Sequence, residues 1–208
     1  MNHPMELNIW RAPTDNDMYI KQEWKKAHYD AAYTRAYRIE VLQNKHGVLI
    51  MEHVAVVADT VQKILDVKMT WKINEDGKIE AVIEAIKDKE FPDLPTFGIR
   101  MFLNKKMDEI TYFGMGPQES YRDKHQASCH GLFRSKVAQM HEDYIRPQEN
   151  GSHYDCDYVE LTNGQCGIAA VSKNPFSFNA SVYTQEELER VSHNYELKES
   201  DSIVFCMD

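Results

Sequence analysis

Three stretches of this chain set acids, amides and aromatic rings close enough together to do chemistry. The first is WRAPTDND at residues 10–17, where Asp15, Asn16 and Asp17 could offer oxygen atoms to a cation or to the free amides of a helix. A calcium loop begun at Asp15 needs an oxygen ligand at its fifth position, glycine at its sixth and glutamate at its twelfth. Tyr19, Ile20 and Lys26 stand there instead, so an EF-hand is excluded. Two readings remain. One carboxylate caps the helix that follows, where unpaired amides and the positive end of the dipole favour it. Alternatively the acids and Arg11 form a polar wall facing a ligand.

The second stretch is YFGMGPQESYRDKHQASCHG at residues 112–131. Gly114 and Gly116 suggest a sharply bent backbone leaving a strand, and Glu119, Arg122 and Asp123 crowd around Tyr121. The Gly-Lys-Ser/Thr ending of a phosphate loop is absent. Such a loop suits a sugar site, a domain interface or a plain turn. The third stretch, RPQENGSHYDCDYVELTNG, places a tight turn at Glu149-Asn150-Gly151. His153 beside it reads as a hydrogen-bonding surface group, as do His125, His130 and His141. No nucleophile elbow, H-E-x-x-H pair or dinucleotide fingerprint occurs. A glycosidase needs two carboxyl groups across the scissile bond, and spacing alone identifies no such pair. The residues assign no catalytic group and no metal ligand.

The elements that must position these stretches are mostly strands. Over residues 63–73, Leu65, Val67, Met69, Trp71 and Ile73 alternate with Asp66, Lys68, Thr70 and Lys72, which predicts one dry and one wet face. NEDG then turns the chain into a second alternating run from Ile79 to Ala85, so a hairpin is expected. Further strands are expected near residues 37–43, 48–58, 96–103, 109–113, 132–137, 157–161 and 166–171. Asn163-Gly164 predicts a two-residue turn that pairs Cys166 with Leu161 and Cys156 with Val171. Those two thiols would then lie on opposite faces, and no spacing suggests zinc. Free, mostly buried cysteines are expected. An apolar stripe from Ile20 to Ala31 predicts a short helix. A second helix is expected from Gln185 to Val191, with Thr184 as its cap.

Many locally joined strands and few helices imply an all-β antiparallel sandwich. The 208 residues carry 42% apolar and 27% charged side chains, enough for a core. A formal charge of −9 without any basic run argues against a nucleic-acid partner. No apolar run is long enough to span a membrane and no targeting segment is visible, so a cytoplasmic location is expected. One domain covering residues 1–208 is the expected organisation.

Taken together, the blocks resemble a known family. WRAPTDND followed by a tryptophan-bearing helix is similar to the opening of the C-terminal β-sandwich of glycoside hydrolase family 2 β-galactosidases of the LacZ type. YFGMGPQESYRDK resembles that domain's G-x-G-P-x-E-x-Y-x-D block, and YIRPQENG its P-x-E-N-G block. FSFNASVYTQEELERVSHNYEL resembles a later segment of the same domain, with its histidine at His193. The resemblance implies an antiparallel supersandwich like that of aldose mutarotases, with one or two short helices. It also implies an enzyme that hydrolyses terminal β-galactosides such as lactose with retention of configuration. The reactive glutamates would belong to a separate catalytic barrel domain, so this chain alone would be inactive, closing the sugar pocket and supporting assembly.

Candidate residues of the pocket rim or domain contact are then Arg11, Asp15, Asn16, Asp17, Glu119, Tyr121, Asp123, Glu149 and Asn150. No cofactor is expected in this chain; the magnesium and sodium typical of the family would be bound mainly elsewhere. Expected partners are the barrel of the same enzyme, a β-galactoside and further copies in a homo-oligomer. Relative to the family both ends look cut, since about nine residues precede Trp10 and the chain stops at Asp208 before a G-G-x-D-S-W segment. The loop after Asp17 is also shorter, which leaves any gating by it unsupported. The alternative is a stand-alone carbohydrate-binding or aldose-mutarotase-like domain, using His125 or His153 with Glu119 or Glu149.

Overall fold

The computed structural model describes residues 3–208. Strand β1 (Glu6–Asn8) is followed by helix α1 (Ile20–Lys26) and four strands, β2 (Tyr33–Gln43), β3 (Val48–Val57), β4 (Lys63–Ile73) and β5 (Ile79–Lys87). Six more complete the strands: β6 (Gly98–Asn104), β7 (Glu109–Gly116), β8 (Cys129–Lys136), β9 (Ser152–Thr162), β10 (Gly167–Ser181) and β11 (Ser202–Met207). Helix α2 (Gln185–Arg190) lies between the last two. The fold is all-β and antiparallel. The strands fall into a four-stranded sheet ordered β2-β3-β4-β5 and a seven-stranded sheet ordered β1-β6-β11-β10-β9-β7-β8.

Two compact units contain these sheets. One is Tyr19–Pro95; the other runs up to Met18 and resumes from Thr96 to Asp208.

In the first unit the period-two pattern of β4 works as expected. Leu65, Val67 and Met69 are buried, while Asp66 and Lys68 are exposed. The turn after it closes through Asn74 N–H to the Lys78 carbonyl at 2.8 Å, with Gly77 at φ +85°. Helix α1 stops five residues before the apolar stripe does. His28 adopts a left-handed backbone (φ 57°) with its Nδ1 2.8 Å from Asp59, and a separate 3-10 turn carries Tyr29–Ala31. The break moves burial off the expected stripe: Tyr29 is buried, its hydroxyl donating to the Pro92 carbonyl at 2.7 Å, while Ile20 and Ala31 are exposed.

The second unit is built around Tyr112, Phe178, Phe205, Ile110, Leu161 and Ile203. Tyr112 meets Phe178 edge-on at 5.2 Å, a favoured aromatic geometry. The Asn163-Gly164 hairpin forms, but in a different register. Leu161 faces Ile168 and Thr162 faces Gly167, because Gly164 and Gln165 rather than Asn163 and Gly164 are the central turn residues. The Asn163 side chain accepts from the Gln165 and Cys166 amides, both at 2.9 Å, which uses asparagine as a local cap instead of a turn centre. All four thiols are free; Cys156 and Cys206 are buried, whereas Cys129 and Cys166 are exposed. Thr184 caps α2 by accepting the Glu187 amide at 3.1 Å, as expected.

The sequence reading passed over β1, β11 and the downstream half of β10. Their runs are short or lack alternation; β11 is buried along almost its whole length, so its apolar residues show no period.

Gly114 and Gly116 correct another expectation. Both lie inside β7 rather than at a bend. A Cβ on Gly114 would collide with Cys156 Sγ, and one on Gly116 with the Tyr112 hydroxyl, so the glycines are there for close approach. Gly114→Ala should therefore cost about 2 kcal/mol or more in a urea or thermal melt, whereas Gly164→Ala, with open space around it but a φ of +81°, should cost only about 1 kcal/mol.

Candidate functional site

Every candidate site residue belongs to the unit with the seven-stranded sheet. Thr14 and Asp17 create the first corner. A 3-10 turn spans Asp15–Asp17, and the Asp17 carboxylate accepts the Thr14 backbone N–H at 2.8 Å and its hydroxyl at 3.0 Å. The other Asp17 oxygen accepts from the Arg11 guanidinium at 2.8 Å. Asp17 is 7% exposed, so its charge is balanced where it is desolvated. The expected cap exists but serves this turn; α1 has no side-chain cap.

Gln148 ties the corner to the third stretch. Its Oε1 accepts the Asp15 N–H at 3.0 Å and its Nε2 donates to the Asp15 carboxylate at 3.3 Å, while the Glu149 N–H donates to the Ala12 carbonyl at 3.1 Å. Asp15 and Asn16 are themselves exposed.

Glu119 is the centre of the second cluster. Its carboxylate accepts from the Lys124 ammonium, the Tyr144 hydroxyl and the Gly151 amide, the last at 2.9 Å. Burial works to raise the Glu119 pKa, but these three donors outweigh it and hold the group below the ordinary carboxylate value. Next to it Ser120 donates to the Met115 carbonyl at 3.1 Å and accepts the Tyr154 amide at 2.9 Å. Tyr121 and Lys124 close a small turn through reciprocal backbone bonds at 2.7 and 3.0 Å. The Tyr121 hydroxyl is buried and bonds to no protein group. Asp123 and Arg122 stay exposed on that turn and do not join the cluster.

The Glu149-Asn150-Gly151 turn is fixed from both sides. Asn150 accepts the Glu142 amide at 3.0 Å and donates to the Gln148 carbonyl at 2.9 Å. Asn179 donates to the Asn150 carbonyl at 2.6 Å and to Glu149 at 3.1 Å. Gly151 has a φ of +70°, and a Cβ there would strike the Met140 carbonyl. Glu149 is half-buried. Burial pushes its carboxyl up to about 8, with Arg11 opposing and the negative Asp208 and Glu119 reinforcing the shift. Glu119 and Glu149 are thus neighbours held in opposite protonation preference, one ionised and one favouring the neutral acid.

His153 is not a surface histidine. It is 2% exposed, its ring lies 4.4 Å from Tyr112 and 5.3 Å from Phe178, and its Nδ1 is 2.9 Å from the Met115 carbonyl. Burial lowers its pKa. His125 instead lines a cavity of about 500 Å³ with Glu119, Lys124, Glu142 and Tyr144.

Lys124, Tyr144, Gln148 and Asn179 complete the clusters beyond the expected residues; the last three act on residues 25 or more positions away, while Lys124 reaches Glu119 from the next turn. Among the described residues no group of three or more His, Cys, Asp or Glu is arranged to hold a metal ion. No helix among the described residues is long and apolar enough to cross a membrane.

These strands and loops define an all-β antiparallel scaffold whose buried Asp17 and Glu119 are engaged by its own donors. The comparison with known proteins is specific on this point. Residues 1–208 match the family described as beta galactosidase small chain, and the chain belongs to it. It is similar to the beta-galactosidase of Actinobacillus pleuropneumoniae, at 45% identity over all of this chain and 20% of the relative. It also resembles those of Staphylococcus xylosus, at 34% over 97% of this chain and 20% of the relative, and Priestia megaterium, at 28% over 94% and 19%. The chain thus spans about a fifth of the length of these relatives.

The Asp17→Ala change should cost about 2 kcal/mol in a denaturant melt, because it leaves a partly buried arginine and two donors without an acceptor. Asp15→Ala should stay within about 0.5 kcal/mol, as its main tie runs through the backbone. Glu149 gives a pH signature. Its folded carboxyl loses a proton near 8 and an unfolded one near 4.5, so the folded state binds more protons between these values and stability falls as pH rises through that window. Thermal melts from pH 4.5 to 8 should show Glu149→Gln flattening this decline and exceeding the parent in Tm at pH 8.

Proposed function

We propose that this chain is the non-catalytic small-chain portion of a β-galactosidase, and that the whole enzyme hydrolyses terminal β-D-galactosides such as lactose with retention. In this reading residues 1–208 act as one module that closes the sugar pocket and supports assembly, beside a catalytic barrel that supplies the reacting carboxyls. The observation that carries it is the use made of the buried acids. Asp17 and Glu119 have their oxygens engaged by Arg11, Thr14, Lys124, Tyr144 and Gly151. A retaining pair needs two carboxyl groups about 5–5.5 Å apart across the bond to be cut, one free to attack. Glu119 has no such freedom.

The candidate residues divide under this reading. Arg11, Asp17, Glu119, Tyr121, Glu149 and Asn150 hold the loops in shape, while the exposed Asp15, Asn16 and Asp123 supply contacts to the barrel or to sugar. In this reading the natural setting is a cytoplasmic, homo-oligomeric enzyme. A mutarotase acid–base pair through His153 is disfavoured by that ring's burial against Tyr112 and Phe178.

The chain alone should give no turnover of a chromogenic β-galactoside above buffer background, at any concentration. Turnover abolished by Glu119→Gln or Glu149→Gln would overturn the assignment.

A further inference from the structure

The four-stranded sheet has two unlike faces. Strand alternation and register put Lys68 and Lys72 of β4 beside Glu84 and Glu80 of β5 on one face, with ion pairs at 3.6 and 3.8 Å. That face is mixed and largely solvated, with Val82 and Ile86 exposed among its charges. The opposite face is mostly apolar, its charged members being Glu52 and Lys87. At one end Val54, Val56, Leu65 and Val67 are each no more than 5% exposed.

Toward the Asn74–Lys78 turn the same face opens. The strand registers align Val41, Ile50, Trp71 and Ala81 in one cross-strand row and Val48, Ile73 and Ile79 in the next. Ile39, Val41 and Ile79 are each 60% exposed, and Ile50, Trp71 and Ile73 are half-buried. Trp71 donates its indole N–H to Glu52 at 3.2 Å, so its polar atom is satisfied and the ring presents hydrocarbon. Neither row carries a charged side chain, and Glu52, in the adjoining row with Ile39, Met69 and Ile83, is engaged by that bond. Soluble monomers rarely leave a contiguous apolar patch of this kind uncovered.

The length of the chain beside its relatives bears on what covers it. The chain is a fifth of its relatives' length, and its family is described as a small chain. The other four-fifths is joined or bound to it at high effective concentration, whereas a second copy must arrive by diffusion. An uncharged pleated face suits an apolar sheet or helix layer, the standard way to cover a sheet. We propose that the open apolar end of β2–β5 is a docking face for an apolar layer of the large portion of a β-galactosidase. This rests on the small-chain reading above.

The test uses the complete enzyme containing this chain and the 208-residue chain alone. Hydrogen exchange across β2–β5 should be slower in the complete enzyme. Val41→Glu with Ile79→Glu should remove that difference and shorten the thermal half-life of the complete enzyme about tenfold or more. The same pair should leave the Tm of the chain alone unchanged. Val82→Glu, on the opposite face and at a site 57% exposed, should change neither.

Equal exchange in the two parent proteins would overturn the proposal, and this comparison stands even where the double variant does not fold. A double variant as durable as Val82→Glu would overturn it too. Sedimentation showing a dimer of the chain alone that the pair dissolves, with the face still open in the complete enzyme, would assign it to a second copy instead. Galactosidase activity of the chain alone would sink the small-chain reading itself. A silent chain whose face stays open would sink only the docking proposal.

Discussion

A carboxylate removed from water must be compensated, and in the seven-stranded unit that requirement falls on Glu119. Its three donors come from three places: Lys124 on the following turn, Tyr144 on a loop, and the Gly151 amide at the start of β9. Loss of any one leaves the ion underpaid in a region of low dielectric. The loops on this side of the sheet therefore cannot drift independently. Gly151 must be glycine both to hold its φ of +70° and to clear the Met140 carbonyl. Asn150 and Asn179 then follow, since the backbone they bond is already placed.

Asp17 repeats the logic on a smaller scale. Arg11 and Thr14 neutralise it locally, and Gln148 passes the resulting geometry to the turn that Glu119 organises. Two buried acids thus knit together segments more than a hundred residues apart in the chain. Glu149, a neighbour with a different fate, shows the limit of the arrangement. Burial and the nearby negative charges leave it favouring the protonated form. The cluster accommodates one ionised carboxylate well and a second poorly.

Much of this was legible beforehand where the cause is local. The β4–β5 hairpin announces itself because its period is two and its turn has a glycine able to take φ +85°. Thr184 and the Asp17 corner are readable because a cap and its turn are neighbours in sequence. What could not be read depends on distance. Nothing near Glu119 says that Tyr144 will reach it, and nothing near His153 says that Tyr112 and Phe178 will enclose its ring. The hairpin at Asn163 was displaced by one position because asparagine can bond to its own turn, an option that competes with the centre of a tight turn. The apolar stripe after Ile20 outran its helix because the left-handed backbone at His28 breaks the helical period, so Tyr29 rather than Ala31 goes inward.

β10 has one further consequence. Its inner flank pairs with β9, but β11 reaches only Phe178–Ser181 on the other side. Upstream of that point no strand among the described residues covers its outer flank, which is the kind of bare hydrogen-bonding row that recruits foreign strands into aggregates. The pairing register slips between Val171 and Phe176, and the exposed slip contains Lys173 and Pro175. A positive charge, a residue with no amide proton and a kink are three known deterrents to stacking. The irregularity thus sets all three on the uncovered flank of the longest described strand.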